Sequence, residues 1–140
     1  MSDGAFDVEA SERLEIDTDG DVVRVRQTTR TLATKASLSL VEQTKVVTAA
    51  SELARNTLVH GGGGAAELEL VRSNRRYGVR ATFTDQGPGI ADVALALTEG
   101  YTTGKGLGLG LSGSRRLVDE FELQTDVGAG TRVMIIKWGR

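Results

Sequence analysis

The chain has 140 residues, 39% of them hydrophobic and 26% charged, with a formal net charge of -2, which are the proportions of one ordinary globular domain. Near-neutral charge with scattered arginines excludes a basic footprint for nucleic acid or anionic lipid, and no apolar run nears the roughly 18 residues that span a bilayer. Cysteine is absent, so disulfides, thiolate metal sites and cysteine nucleophiles are excluded, and the acidic start at Met1–Ser11 resembles neither a signal nor a transit peptide, so a cytoplasmic protein is expected.

Taken in order, residues 1–11 read as a disordered tail, followed by one domain over 12–140. Leu14 and Ile16 alternate with charged residues, predicting a strand over Arg13–Thr18. Asp19, Gly20 and Asp21 offer a helix start, and Val22, Val25, Thr29, Leu32 and Ala36 recur at helical spacing. Val41–Val59 is the longest helical stretch, without Gly or Pro, and runs into the stop Gly61–Gly64. Ala66–Ser73 and Tyr77–Thr84 alternate about a polar turn, as a hairpin does. Asp85-Gln86-Gly87-Pro88-Gly89-Ile90 cannot continue a strand. A short helix is expected over Ala91–Leu97, a loop over 99–111, a helix over Ser112–Phe121, and strands over Glu122–Val127 and Thr131–Trp138. Antiparallel strands with helices on one side predict an α+β fold, a two-layer α/β sandwich rather than a doubly wound sheet.

Three segments carry chemistry. Glu52 and Asn56 stand four apart on the long helix and therefore share a face. A carboxylate there can accept a proton from an attacking hydroxyl, and an amide oxygen can ligate Mg²⁺; the same pair also reads as a solvated helix face. Asp85-Gln86-Gly87-Pro88-Gly89 follows a strand directly, so a carboxylate sits beside a sharp turn whose backbone can lie against a flat base. An ordinary capped turn has the same composition. Gly104-Lys105-Gly106-Leu107-Gly108-Leu109-Gly110-Leu111 alternates glycines before a helix, which lets backbone N–H groups meet phosphate oxygens. It fails the Walker pattern, because Gly106 rather than Ser or Thr follows Lys105. Gly108, Gly110 and Gly113 satisfy G-x-G-x-x-G, but no strand leads directly into them, as a dinucleotide site requires.

In this order the segments resemble the GHKL superfamily of Bergerat-fold ATPases. Glu52-x-x-x-Asn56 is similar to its N box, Asp85-x-Gly87-x-Gly89 to its G1 box, Gly104–Gly110 to its G2 box at the ATP lid, and Gly128-x-Gly130-Thr131 to its closing glycine-threonine element. The runs SELARN, DQGPGI and GLGLGL and the ending IKWGR narrow the likeness, over roughly residues 12–140, to the anti-sigma-factor serine/threonine kinases, and within them to the stressosome switch kinases. The resemblance implies a mixed, mostly antiparallel sheet with helices on one face, and Mg²⁺ and ATP as cofactors. It implies Glu52 as general base, Asn56 on Mg²⁺, Asp85 on adenine, and Gly87 and Gly89 shaping the base pocket. Gly104, Lys105, Gly106, Leu107, Gly108, Leu109, Gly110 and Leu111 would form the lid, with Thr131 behind Asp85. The implied partners are STAS-domain antagonist or scaffold proteins and either a PP2C-type phosphatase or a sigma factor, with the kinase a monomer or homodimer and no nucleic acid or membrane involved. A nucleotide-gated anti-sigma binding module and a detached histidine-kinase catalytic domain are the alternatives. Arg55 reads as a surface arginine or a partner contact, and His60 as a packing or capping residue. The run Gly61–Gly64 has no functional account at this level.

Overall fold

The computed structural model describes residues 6–98 and 110–140. Its elements are β1 (Asp7–Ile16), α1 (Asp19–Lys35), α2 (Leu40–Val59), β2 (Gly64–Ser73), β3 (Arg76–Asp85), α3 (Val93–Ala96), α4 (Gly110–Arg116), β4 (Glu120–Asp126) and β5 (Gly130–Trp138). The strands form one sheet in the order β1-β2-β3-β5-β4, and the helices pack on one of its faces, as expected.

Both long helices begin on a capping box. Thr18 Oγ1 accepts from Asp21 N at 3.2 Å while Asp21 Oδ2 accepts from Thr18 N at 3.0 Å. Ser39 Oγ accepts from Glu42 N at 3.1 Å while Glu42 Oε1 accepts from Ser39 N at 2.8 Å. Each box satisfies backbone donors that a helix start otherwise leaves open. Backbone hydrogen bonds, led by the one from Asp17 N–H at 2.9 Å for Asp21 and by the one from Ser39 N–H for Glu42, hold both carboxyls below the ordinary carboxylate range.

Val22, Val25, Leu32, Val46, Ala50 and Leu53 from the helices meet Leu14, Ile16, Leu68, Val79, Phe83 and Ile135 from the sheet, all of them buried. The outer face carries a second cluster of Val71, Met134, Ile136 and Trp138. No helix covers it. Phe6 lies edge-on to Trp138 with ring centroids 5.7 Å apart, and the guanidinium groups of Arg76 and Arg80 sit over Trp138 and Phe6 at 4.7 and 4.9 Å. Cationic heads thus cover the rings of this cluster, and that of Arg80 is also paired with Glu69 through Nε at 2.6 Å.

Three expectations need correction. The sheet is antiparallel in all four pairings rather than mixed. Two antiparallel helices separate β1 from β2, and an even number of passes returns the chain reversed; β4 does run parallel to β3, but β5 lies between them. β1 begins at Asp7, within the stretch expected to be disordered, because its backbone pairs with β2 from Asp7 opposite Arg72 to Ile16 opposite Gly64. The last helix ends at Arg116 instead of Phe121. There Asp119 N donates to the Ile136 carbonyl at 2.9 Å, and Asp119 Oδ2 accepts from Trp138 N at 2.7 Å. That clamp starts β4 at Glu120, and the ladder to β5 overrides the local helical pattern.

Candidate functional site

The C-terminal half of α2 lies across the end of the sheet where β3 stops and β5 begins. Between them is a cavity of about 470 Å³, within the range of small-molecule sites. Glu52, Asn56, His60, Asp85, Asp92 and Thr131 give it polar groups, and Leu53, Phe83, Ile90, Leu95, Leu111 and Val133 give it apolar walls. Glu52 and Asn56 are both half-buried on the helix flank facing this space. They line a cleft rather than a solvated surface.

Asp85 is the last residue of β3, so its side chain projects from a strand fixed on both sides. It stands opposite Gly64 of β2 and opposite Thr131 of β5. Thr131 in turn stands opposite Thr125 of β4. Directly opposed residues point to the same face, so Gly64, Asp85, Thr131 and Thr125 form one row across four strands. The Asp85 carboxylate accepts from Gly87 N through Oδ1 at 2.9 Å, an Asx-type turn that aims the side chain.

The chain leaving α2 passes directly over Asp85. A Cβ at Gly61 would lie 2.6 Å from Asp85 Oδ2, and one at Gly87 would lie 2.8 Å from Gly61 Cα. Gly62 and Gly63 have φ of 76° and 107°, which disfavour other residues. The run Gly61–Gly64 thereby gains its account: Gly61 leaves room for the carboxylate and its turn, Gly62 and Gly63 make the bend, and Gly64 lies so close to the Thr84 carbonyl that no Cβ fits.

The Gln86–Ile90 turn rests on the β4–β5 hairpin. Ile90 N donates to Thr125 Oγ1 at 2.9 Å, and Gly128 N donates to the Pro88 carbonyl at 2.8 Å. Gly89, at φ 77°, presses so closely on the Asp126 carbonyl that no Cβ fits.

Of the residues expected at the site, Glu52, Asn56, Asp85, Gly89, Gly110, Leu111 and Thr131 line the cavity. Gly87 does not line it and acts through the bond from its N–H to Asp85 Oδ1. Thr131 is 2.9 Å from Thr125 Oγ1 through its hydroxyl, so it is tied sideways along the row as well as standing beside Asp85. Gly104, Lys105, Gly106, Leu107, Gly108 and Leu109 lie outside the described residues. Thr125, Ile90 and Leu95 were not anticipated, and a threonine on a strand carries no signal that would single it out.

Among the described residues no group of three His, Cys, Asp or Glu is placed to hold a metal. The carboxamide of Asn56 is a hard neutral oxygen donor at the cavity wall. That suits Mg²⁺, which takes few protein ligands and fills its sphere with water and phosphate oxygens.

Known proteins are similar to this chain over most of its length. Residues 41–138 match the model of the family described as histidine kinase-, DNA gyrase B-, and HSP90-like ATPase. The chain is 41% identical over 123 residues to the serine/threonine-protein kinase RsbT of Bacillus subtilis (strain 168), covering 88% of this chain and 92% of that one. It is 32% identical over 105 residues to the anti-sigma F factor of Pasteuria penetrans, covering 71% of this chain and 70% of the other. The fold is shared with the crystal structure of the RsbU and RsbW domains of Rv1364c from Mycobacterium tuberculosis at a TM-score of 0.63 and 20% identity, over 91% of this chain and 31% of that one. Among the described residues no helix is long and apolar enough to cross a membrane.

Proposed function

The chain belongs to the histidine kinase-, DNA gyrase B-, and HSP90-like ATPase family and is a protein-serine/threonine kinase within it; from that premise we propose that it phosphorylates a small STAS-domain antagonist in a partner-switching pathway and regulates a PP2C-type phosphatase. The observation that carries this reading is the convergence of Glu52, Asn56 and Asp85 on one cavity.

In this reading Asp85 accepts the exocyclic amino hydrogen of adenine, and the apolar walls at Ile90 and Leu95 hold the base. Glu52 accepts the proton of the seryl or threonyl hydroxyl as its oxygen attacks the γ-phosphorus and the bond to the β-phosphate oxygen breaks. ADP leaves with that bridging oxygen. Mg²⁺, bound through Asn56, would screen the charge of the triphosphate. The rest is positioning, which is most of what phosphoryl transfer asks of a protein. The family resemblance assigns the glycine-rich segment 104–111, with the cation of Lys105, to binding the phosphates.

Incubation with γ-phosphate-labelled ATP and a cognate STAS-domain protein tests the proposal. Label should pass to the STAS protein as an acid-stable phosphoester, and Glu52→Gln should abolish transfer while leaving ATP binding in place. Transfer by the Glu52→Gln protein at the wild-type rate removes Glu52 from its role. A second reading, a nucleotide-gated anti-sigma factor, draws on the likeness to the anti-sigma F factor. It predicts capture of a sigma factor that responds to ADP against ATP and survives Glu52→Gln. The histidine-kinase alternative loses ground to the kinship with a serine/threonine kinase.

A further inference from the structure

We infer that Thr125, which lies outside the cavity, fixes the hydrogen-bonding polarity of Thr131 and thereby makes the pocket select a 6-amino purine over a 6-oxo purine. The inference rests on the reading that this cavity takes the purine of ATP.

A hydroxyl has one proton to give and two lone pairs to accept with. Thr125 Oγ1 donates to the Gly130 carbonyl at 3.1 Å and accepts from Ile90 N at 2.9 Å. Its third neighbour is Thr131 Oγ1 at 2.9 Å. The Gly130 carbonyl can only accept and the Ile90 N–H can only donate, so of the two directions open to the Thr125–Thr131 contact, donation from Thr131 is the one that makes all three contacts hydrogen bonds.

Thr131 then has no proton left for the cavity it lines, and it presents lone pairs there. Asp85, its neighbour in the row, presents carboxylate oxygens, and Oδ1 is already turned by the Gly87 N–H. The polar wall made by these two residues accepts hydrogen bonds and donates none. An amino group at purine C6 supplies the matching donors. An oxygen at C6 sets lone pair against lone pair, which costs more than a missing contact because the seated base keeps water from the half-buried acceptors it leaves unpaired. Without the Thr125 hydroxyl, Thr131 is free to rotate and donate its proton to a 6-oxo group.

The test is calorimetric titration of the full chain with Mg-ATP and Mg-ITP, which differ at the 6-substituent and its attendant N1 proton. The wild type should bind ATP more tightly than ITP. Thr125→Val should shrink that preference by about fivefold or more, while Thr125→Ser, which restores a hydroxyl, keeps it. Thr131→Val should also shrink it, and adding Thr125→Val to Thr131→Val should change the ratio no further. A Thr125→Val protein that loses both nucleotides by the same factor overturns the inference, because the residue then acts only as a brace for the Gln86–Ile90 turn. If Thr125→Val does not fold, a wild-type preference retained in Thr131→Val overturns it as well. A wild type that binds neither nucleotide defeats the ATP reading itself, which is a distinguishable result.

Discussion

Replacing Gly64 by alanine tests the packing beneath the site. Gly64 opens β2 and stands opposite Asp85. A Cβ there would be driven into the Thr84 carbonyl oxygen and would lie 2.9 Å from Thr57 Cγ2 and 3.1 Å from Asp85 Cα. Two of these three obstacles are backbone atoms, and Thr57 is buried with its hydroxyl donating to the Leu53 carbonyl at 2.9 Å. None can swing aside. Either β2 parts from β3 or the last turn of α2 lifts, and overpacking of this kind costs about 1–3 kcal/mol. Because the φ of Gly64 is not positive, alanine also restricts the unfolded chain, which returns about 0.4–1 kcal/mol. The net loss is about 1–2 kcal/mol. An unfolding entropy of about 2.1 cal/mol/K per residue gives a chain of 140 residues a slope of about 0.3 kcal/mol per kelvin. Tm should therefore fall by about 3–7 °C. Trp138 is the single tryptophan and lies in the outer-face cluster, away from the cavity, so its fluorescence follows unfolding with little direct interference from nucleotide. ATP affinity should fall together with Tm, since the movement falls either on the pairing that holds Asp85 or on the end of α2 that carries Asn56. A Gly64→Ala protein that melts at or above the wild-type temperature would refute the reasoning, because the close contact would then be relieved at no cost.

Gly20, in the first turn of α1, is the counterexample: its nearest obstacle is Thr18 Oγ1 at an ordinary 3.6 Å, so Gly20→Ala should raise stability by about 0.5 kcal/mol in the same melt. Ser39→Ala removes half of the α2 capping box and should cost about 1 kcal/mol, read as a Tm lower by about 3 °C. The carboxyl of Glu42 is held below its ordinary pKa, first by the Ser39 N–H and then by Arg140. Its stabilisation is therefore present above the unfolded pKa and is lost as pH falls through the folded one. Glu42→Gln should melt at a lower temperature near neutrality and show a shallower decline on acidification; parallel pH profiles for the two proteins would contradict this. Asp85→Asn keeps an oxygen for the Gly87 N–H but gives up the charge and one acceptor face, so ATP affinity should fall about tenfold to a hundredfold with little change in the Tm of the nucleotide-free protein. An unchanged affinity measured by titration would remove Asp85 from base recognition.

What could be read from the sequence follows where burial imposes a period. α2 and the β2–β3 hairpin were legible because Val46, Ala50 and Leu53, and then Leu68, Leu70, Val79 and Ala81, face one core at the spacing of their element. Asp85 was legible because a carboxylate before two glycines breaks a strand pattern. The first half of β1 was not, since Asp7–Arg13 is an edge segment with no fully buried side chain and is held by backbone bonds that leave no hydrophobic trace. The boundary between α4 and β4 was missed because Leu117, Val118 and Phe121 suit a helix as well as a strand, and the deciding groups are Asp119 and the remote Trp138 N–H. Thr125 was beyond reach for a related reason: its importance comes from standing opposite Thr131, and register between strands is a tertiary fact. Gly61–Gly64 announced a stop, but only the position of Asp85 explains why so many glycines stand there.

The place of β5 in the sheet bears on how the protein comes into being. β5 is the last of the described strands in chain order, yet it is inserted between β3 and β4, and it contributes Thr131 to the row that holds Asp85. During synthesis on the ribosome the α2 flank and the β2–β3 hairpin can form early, but Asp85 has no partner on its other side until β5 has emerged. Nucleotide therefore cannot assist the first stages of folding, and a nascent chain stalled before Gly130 would expose the open edge of β3 to other strands. The binding site and the middle of the sheet are thus closed by the same strand.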